Sequence, residues 1–275
     1  MAKDLLRQTR DYFKAQGIPE IDASILLAHL LRCTRGEVQL KLLQLNETEF
    51  NETDRELRRW VLRRQNGEPV QYITGTAPFR YLEYQVGPGV LIPRPETESL
   101  VTLVLGNMTS SRSTVVDLGS GSGCIAISLA TESKGLKVTA VENSSDALIW
   151  LKKNVSAMAP KIRIVEGDVQ EACLGETFDI VVANPPYVPT SQALPAEVRK
   201  EPSVALFGGS ADGMAIPAQF ILAATRLLKS GGLLVLEHDQ SQGAVIASLL
   251  ETNFTKISLT ADLTGRPRFT TARKS

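Results

Sequence analysis

From Thr114 to the C-terminus, short β-branched and aliphatic runs alternate with helical stretches. Few folds satisfy that alternation, because parallel strands must be joined by crossovers and their helices must cover the sheet. The pattern predicts a parallel sheet covered on both faces. Strands are expected at Val115–Leu118, Lys137–Val141, Ile162–Val165, Ile180–Ala183, Leu233–Glu237, Thr255–Leu259 and Arg268–Thr271. In such sheets ligands bind at the carboxyl ends of the strands.

The first strand end carries Asp117 and Leu118, followed by Gly119-Ser120-Gly121-Ser122-Gly123 and a helix from Cys124 to Ala130. Glycines there let the backbone approach a ligand closely at a helix N-terminus. The second strand ends at Glu142, placed to accept hydrogen bonds from both ribose hydroxyls of a nucleoside. The nicotinamide fingerprint is not met, because Cys124 stands where a third spaced glycine is needed. Asp117 suits a ligand bearing an ammonium group, which points to S-adenosylmethionine rather than a dinucleotide; capping of the turn is the other reading of Asp117. Asp168 and Val169 end the third strand. Asp168 is either a partner for the adenine amino group, with Val169 lining the ring, or an ordinary turn aspartate.

Phe178-Asp179-Ile180-Val181-Val182-Ala183 runs into Asn184-Pro185-Pro186-Tyr187. The prolines end strand pairing and hold Asn184 extended at the strand terminus. The Asn184 amide and the neighbouring carbonyl then offer acceptors to a substrate –NH2, and Tyr187 offers a flat face to cover it. The glycine- and proline-rich stretch after it, including Glu201-Pro202 and Gly208-Gly209, reads as a lid.

Residues 1–74 read as helical. Leu5, Leu6, Tyr12 and Phe13 share one helix, stopped by Gly17-Ile18-Pro19. Asp22 can cap a second helix that carries Leu26, Leu27 and Leu30, with His29 as a satisfied core histidine. A further helix spans Asn51 to Arg64, with Leu57, Trp60 and Val61 as its apolar stripe. Arg55, Arg58, Arg59, Arg63 and Arg64 crowd its other side, either as a solvated face or as a contact for RNA or an acidic partner. Residues 75–95 read as a β-hairpin linker, and Glu96 or Thr97 opens a helix toward Asn107. Lys+Arg and Asp+Glu each number 30, so no global field draws nucleic acid. No apolar run reaches membrane-spanning length, the start lacks a signal-peptide apolar region, and Cys33, Cys124 and Cys173 form no disulfide or metal pattern. A reducing cytoplasm is expected.

The chain resembles the peptide chain release factor glutamine methyltransferase family. The resemblance rests on Gly67-Glu68-Pro69 with Tyr72-Ile73-Thr74-Gly75, Leu91 to Glu98, Asp117 to Ala130, Asn184 to Tyr187, Glu201-Pro202, Gly208-Gly209 with Asp212-Gly213, and Glu237-His238. It implies a small helical domain (1–74), a hairpin linker (75–95) and a Rossmann-like, seven-stranded S-adenosylmethionine-dependent methyltransferase domain (96–275). It implies methyl transfer to the side-chain amide of the glutamine in the Gly-Gly-Gln tripeptide of class I release factors, by an enzyme monomeric when free and needing no membrane or direct nucleic-acid binding. The alternative is an amino methyltransferase acting on a ribosomal-protein glutamine or a nucleic-acid base. The cofactor loop falls on Gly119 to Gly123, the ribose acid on Glu142, and the substrate tetrapeptide on Asn184 to Tyr187. Asn184, Pro185 and Tyr187 are the implied catalytic set, and Pro186 completes the substrate contact. His238 reads as structural rather than as a base. The chain departs from the family pattern at Glu142, where Asp is common, and at Asp239, where Gly is common.

Overall fold

The computed structural model describes residues 4–275; the first three residues of the expected helical stretch lie outside them. The chain divides into two compact units, residues 4–76 with 195–200, and residues 77–194 with 201–275.

The smaller unit is built from α1 (Leu5–Ala15), α2 (Ile21–Leu31), α3 (Val38–Gln44), α4 (Glu47–Gln65) and α5 (Val70–Thr74). Phe13, Leu26, Leu27, Leu42 and Leu57 form its interior. A capping box starts α4: Asn46 accepts from the Glu49 amide, and the Glu49 carboxylate accepts from the Asn46 amide. That start lies upstream of the expected Asn51, because the cap, not the apolar stripe, fixes it.

Three further expectations fail in this unit, two of them through one contact. Asp22 does not cap α2; Glu20 holds the cap position without a side-chain bond. Asp22 is instead buried and accepts from Arg64 Nε at 2.7 Å. Arg64 therefore leaves the solvated face. Its Nη2 donates to Glu197 at 2.6 Å, binding the 195–200 segment into this unit. His29 is exposed and stacks at a tilt beside Trp60, with ring centroids 5.6 Å apart, rather than sitting in the core. The remaining arginines behave as a solvated face: Arg58 pairs with Asp54, Arg59 with Glu56 and Arg63 with Glu68.

β1 (Thr76–Phe79) and β2 (Leu82–Gln85) form a separate hairpin. It is shorter than the expected 75–95, because after Gln85 the chain runs into Gly87-Pro88-Gly89 and the prolines at 93 and 95, which cannot continue strand pairing. From residue 77 the hairpin is part of the larger unit rather than a free linker. Tyr84 is fully buried, with its hydroxyl bonded to the Cys124 carbonyl and Ser128 Oγ. Arg80 at the hairpin turn pairs with Glu132.

The larger unit continues through α6 (Glu98–Asn107), β3 (Thr114–Leu118), α7 (Cys124–Glu132), β4 (Lys137–Glu142), α8 (Ser145–Met158), β5 (Arg163–Glu166) and β6 (Phe178–Ala183). It closes with α9 (Ala215–Leu227), β7 (Leu228–Glu237), α10 (Gly243–Leu250), β8 (Phe254–Ala261) and β9 (Pro267–Lys274). The seven strands lie in the order β5-β4-β3-β6-β7-β9-β8. β3 to β7 pair in parallel, and Val115, Val116, Val181 and Val182 at the centre are fully buried, as covering on both faces requires. β9 is the exception to the expected parallel sheet, running antiparallel to both β7 and β8. The turn from β8 into β9 is too short for a crossover, so the chain can only double back. The strand order reverses between β3 and β6, which puts the ligand-binding crevice at their carboxyl ends.

Candidate active site

A cavity of about 640 Å³ opens at those strand ends. Gly119 to Ser122, Glu142, Asp168, Val169, Asn184 and Pro186 all line it. The glycine loop is shaped by backbone need. Gly121 has φ +56°, and its amide donates to Glu142 Oε2 at 2.8 Å. At Gly119, φ +69°, a Cβ would stand 3.2 Å from the Phe220 ring, so a side chain would crowd the wall.

Glu142 is buried, and its second oxygen accepts from the Asn143 and Ser144 amides at 2.9 and 2.8 Å. Three bonds within the protein leave about one of its four acceptor positions free. Holding both ribose hydroxyls, as expected, would require the Gly121 amide to let go.

Asp117 lies behind the loop, fully buried and outside the cavity lining. Neither carboxylate oxygen meets a donor at full bonding geometry: the Ser120 hydroxyl, close by, donates to the Asp117 main-chain carbonyl, and the Ala126 amide lies alongside. Burial pushes the Asp117 carboxyl up to about 7. Ser122 Oγ is likewise buried without a partner. An unpaired carboxylate and a free hydroxyl beneath a glycine loop fit a ligand that brings both positive charge and polar atoms.

Asp168 serves its own turn, accepting from the Gln170 amide at 2.8 Å, and also lines the cavity, so its two readings are compatible. The turn is pinned from α9, where Arg226 Nη2 donates to the Val169 and Ala172 carbonyls.

Asn184 stands where β6 ends. Its Nδ2 donates to Thr97 Oγ1 at 3.2 Å, which leaves Oδ1 as the free end of the amide. Pro186 lines the cavity, whereas Pro185 and Tyr187 do not. Tyr187 is tied down: its hydroxyl donates to Glu237 Oε1 at 3.1 Å and its carbonyl accepts from Gln242 Nε2. A Cβ on Gly213 would strike that same carbonyl, which is why the Asp212-Gly213 turn closes against the tetrapeptide. Glu237 is buried, and desolvation lifts its carboxyl to about 7.

The segment after Tyr187 folds back rather than drifting: the Val188 amide donates to the Leu206 carbonyl, and Gly208 returns a bond to Val188. Buried Glu201 accepts from the Ile92 amide and pairs with Arg94. Pro202, Val204, Ala205 and Phe207 complete the cavity wall with Gln219 and Phe220 of α9. Motif reading missed those α9 residues; the apolar face of α9 carries no mark that separates cavity lining from core. His238 is fully buried between Thr270 Oγ1 and the Asp239 carbonyl, away from the cavity, and burial pushes its pKa down. Asp239 closes its turn through bonds from the Ser241 amide and hydroxyl, without a left-handed backbone, so a glycine is not required there.

The chain also matches known proteins. The model of the methyltransferase small domain matches residues 97–200, and that of the PrmC N-terminal domain matches residues 4–75. The release factor glutamine methyltransferase of Bifidobacterium longum is 41% identical over 285 residues, covering 97% of each chain. The chain belongs to the release factor glutamine methyltransferase family. The Rhodopirellula baltica member is 35% identical over 98% of this chain and 95% of that one. Among solved structures, a T. thermophilus 16S rRNA N2 G1207 methyltransferase, solved with AdoMet and guanosine, superposes at TM-score 0.54. It is 24% identical over 73% of this chain and 50% of that one. A Pyrococcus furiosus methyltransferase superposes at 0.54, with 17% identity over 70% of this chain and 88% of that one. These two establish the methyltransferase fold. Among the described residues of this family member, no helix is long and apolar enough to cross a membrane, and no cluster of His, Cys, Asp and Glu could hold a metal ion.

Proposed function

We propose that this protein transfers a methyl group from S-adenosylmethionine to the side-chain amide nitrogen of the Gly-Gly-Gln glutamine in class I peptide chain release factors. One observation carries the reading: Asn184, with its Oδ1 free, opens onto the cavity that the glycine loop and Glu142 also line. Family membership supports the choice of substrate. The cofactor supplies a methyl group already activated on a sulfonium sulfur.

The Gly121 loop, Glu142, Asp168 and Val169 would bind that cofactor, with Asp117 countering its ammonium from behind the loop. Asn184 Oδ1 and the Pro185 carbonyl accept the two hydrogens of the glutamine amide. A carboxamide nitrogen is a weak nucleophile, since its lone pair is delocalised into the carbonyl. Two fixed acceptors hold the nitrogen in place and favour the positive charge that grows on it. The nitrogen gains the methyl group and then sheds one proton, so no strong base is required beforehand. Tyr187, fixed by Glu237, supports the tetrapeptide from behind. We assign docking of the release factor to the helical unit and catalysis to the unit from residue 77 onward, in the cytoplasm where release factors act.

The test is peptide mass spectrometry of a purified class I release factor after incubation with the protein and S-adenosylmethionine. One added methyl on the Gly-Gly-Gln glutamine is expected. An unmodified glutamine under conditions where the protein binds the cofactor would overturn the reading.

A further inference from the structure

Resting on the methyl-transfer reading above, we propose that Thr97 and Glu237 are positioning residues that set which end of the Asn184 amide faces the reacting nitrogen. An asparagine side chain presents either an acceptor or a donor, and turning it over exchanges a carbonyl for an NH2 of nearly the same shape. Methyl transfer to an amide –NH2 needs the acceptor. Something must therefore hold the amide the right way round.

The geometry supplies it. Asn184 Nδ2 donates to Thr97 Oγ1 at 3.2 Å. Thr97 is 2% exposed, follows the rigid Pro93-Arg94-Pro95 stretch, precedes α6, and lines the cavity together with Pro93 and Arg94. A hydroxyl has one proton. If Thr97 donated it to Asn184, the amide would turn and present NH2 to the substrate. Glu237 prevents this. Its carboxylate is 1% exposed and lies beside Thr97. Oε1 already accepts from the Tyr187 hydroxyl, while Oε2 meets no donor at bonding geometry. In its ionised form, which prevails above about pH 7, the Glu237 carboxylate only accepts, so it favours the Thr97 proton pointing toward it and leaves Thr97 an acceptor for Asn184. The same carboxylate anchors Tyr187. Leu91–Glu98 and Glu237-His238, stretches far apart in the chain, thereby meet on one amide.

Three substitutions test this. Thr97→Val keeps the shape and removes the acceptor, Thr97→Ser keeps the hydroxyl, and Glu237→Gln offers Thr97 an NH2 in place of an acceptor. The first readout needs no protein substrate. It is hydrogen exchange of the Asn184 side-chain NH2 by NMR, assigned through the loss of its signals in Asn184→Asp. Exchange should be about tenfold faster or more in Thr97→Val once the bond is gone, and near wild type in Thr97→Ser. The second readout is single-turnover methylation beside calorimetric affinity for S-adenosylhomocysteine. Thr97→Val and Glu237→Gln should slow methyl transfer about tenfold or more, with cofactor affinity changed less than about twofold and Thr97→Ser largely active. Unchanged Asn184 exchange in Thr97→Val would overturn the proposal whatever the substrate proves to be. So would Thr97→Ser impaired as badly as Thr97→Val, which would make the site one of packing. Absence of methylation by the wild type would count against the substrate reading alone, with the exchange measurement still deciding this one.

Discussion

At the scale of single residues, Asn184 acts on the reacting nitrogen as an acceptor. Asn184→Ala removes a bond that matters most once the glutamine nitrogen is positive, so it should lower kcat more than it raises KM for the cofactor. The loss should be on the order of 100-fold, as for other single transition-state hydrogen bonds. Asn184→Asp keeps an acceptor toward the substrate but loses the donor to Thr97, so it should fall between wild type and Ala in single-turnover methylation. Near-wild-type turnover in the Ala variant would remove Asn184 from the mechanism. Asp117 carries a separate, pH-dependent consequence. Burial raises its pKa from the ordinary 3.8 to about 7, so the folded state without ligand holds a proton that the unfolded chain has released. Its contribution is present at low pH and is lost as pH rises through about 7. Asp117→Asn should therefore gain stability relative to wild type progressively between about pH 4 and about pH 7 and hold that gain above it, read from denaturant midpoints. A difference that does not change with pH would show that Asp117 titrates normally.

At the scale of elements, the buried Arg64 joins α2, α4 and the 195–200 segment through Asp22 and Glu197. Desolvation raises the Asp22 pKa even with Arg64 beside it, so the pair is tolerated rather than strongly favourable. Arg64→Met should cost about 3–5 kcal/mol, because Asp22 is left buried and alone. Asp22→Leu added to it should restore most of that loss; chemical denaturation of both variants measures this, and a double variant as unstable as the single would contradict it. This contact also marks the limit of what the sequence discloses. The glycine loop, Glu142 and Asn184 were legible because each is read within a few residues, at the end of a recognisable strand. Asp22 and Arg64 lie 42 positions apart, and Asn184 and Thr97 lie 87 apart, so only the folded chain pairs them. Local spacing suggested a cap for Asp22 and a solvated place for Arg64. Tertiary packing overrode both. The antiparallel β9 escaped for a related reason: strand propensity fixes that a strand exists, while the short turn before it fixes its direction.

At the scale of the whole molecule, a seven-stranded sheet presents the ends of β3, β4, β5 and β6 to one cavity, and each end contributes lining residues or the loop that does. The strand order, not any single motif, brings Glu142 and Asn184 to the same space. The fold alone serves many methyl acceptors, since function resides in the site grafted on it. The choice of acceptor is therefore the central claim. The balance of 30 basic and 30 acidic residues gives no general field for nucleic acid, and Arg58, Arg59 and Arg63 of α4 are paired with neighbouring acids. The measurement that tests the claim most directly offers the protein methyl-labelled S-adenosylmethionine together with a class I release factor, ribosomal protein and RNA in one reaction. The account predicts that label accumulates on the release factor, at its Gly-Gly-Gln glutamine, and that replacing that glutamine abolishes it. Label on RNA or ribosomal protein with the release factor unlabelled would contradict the account.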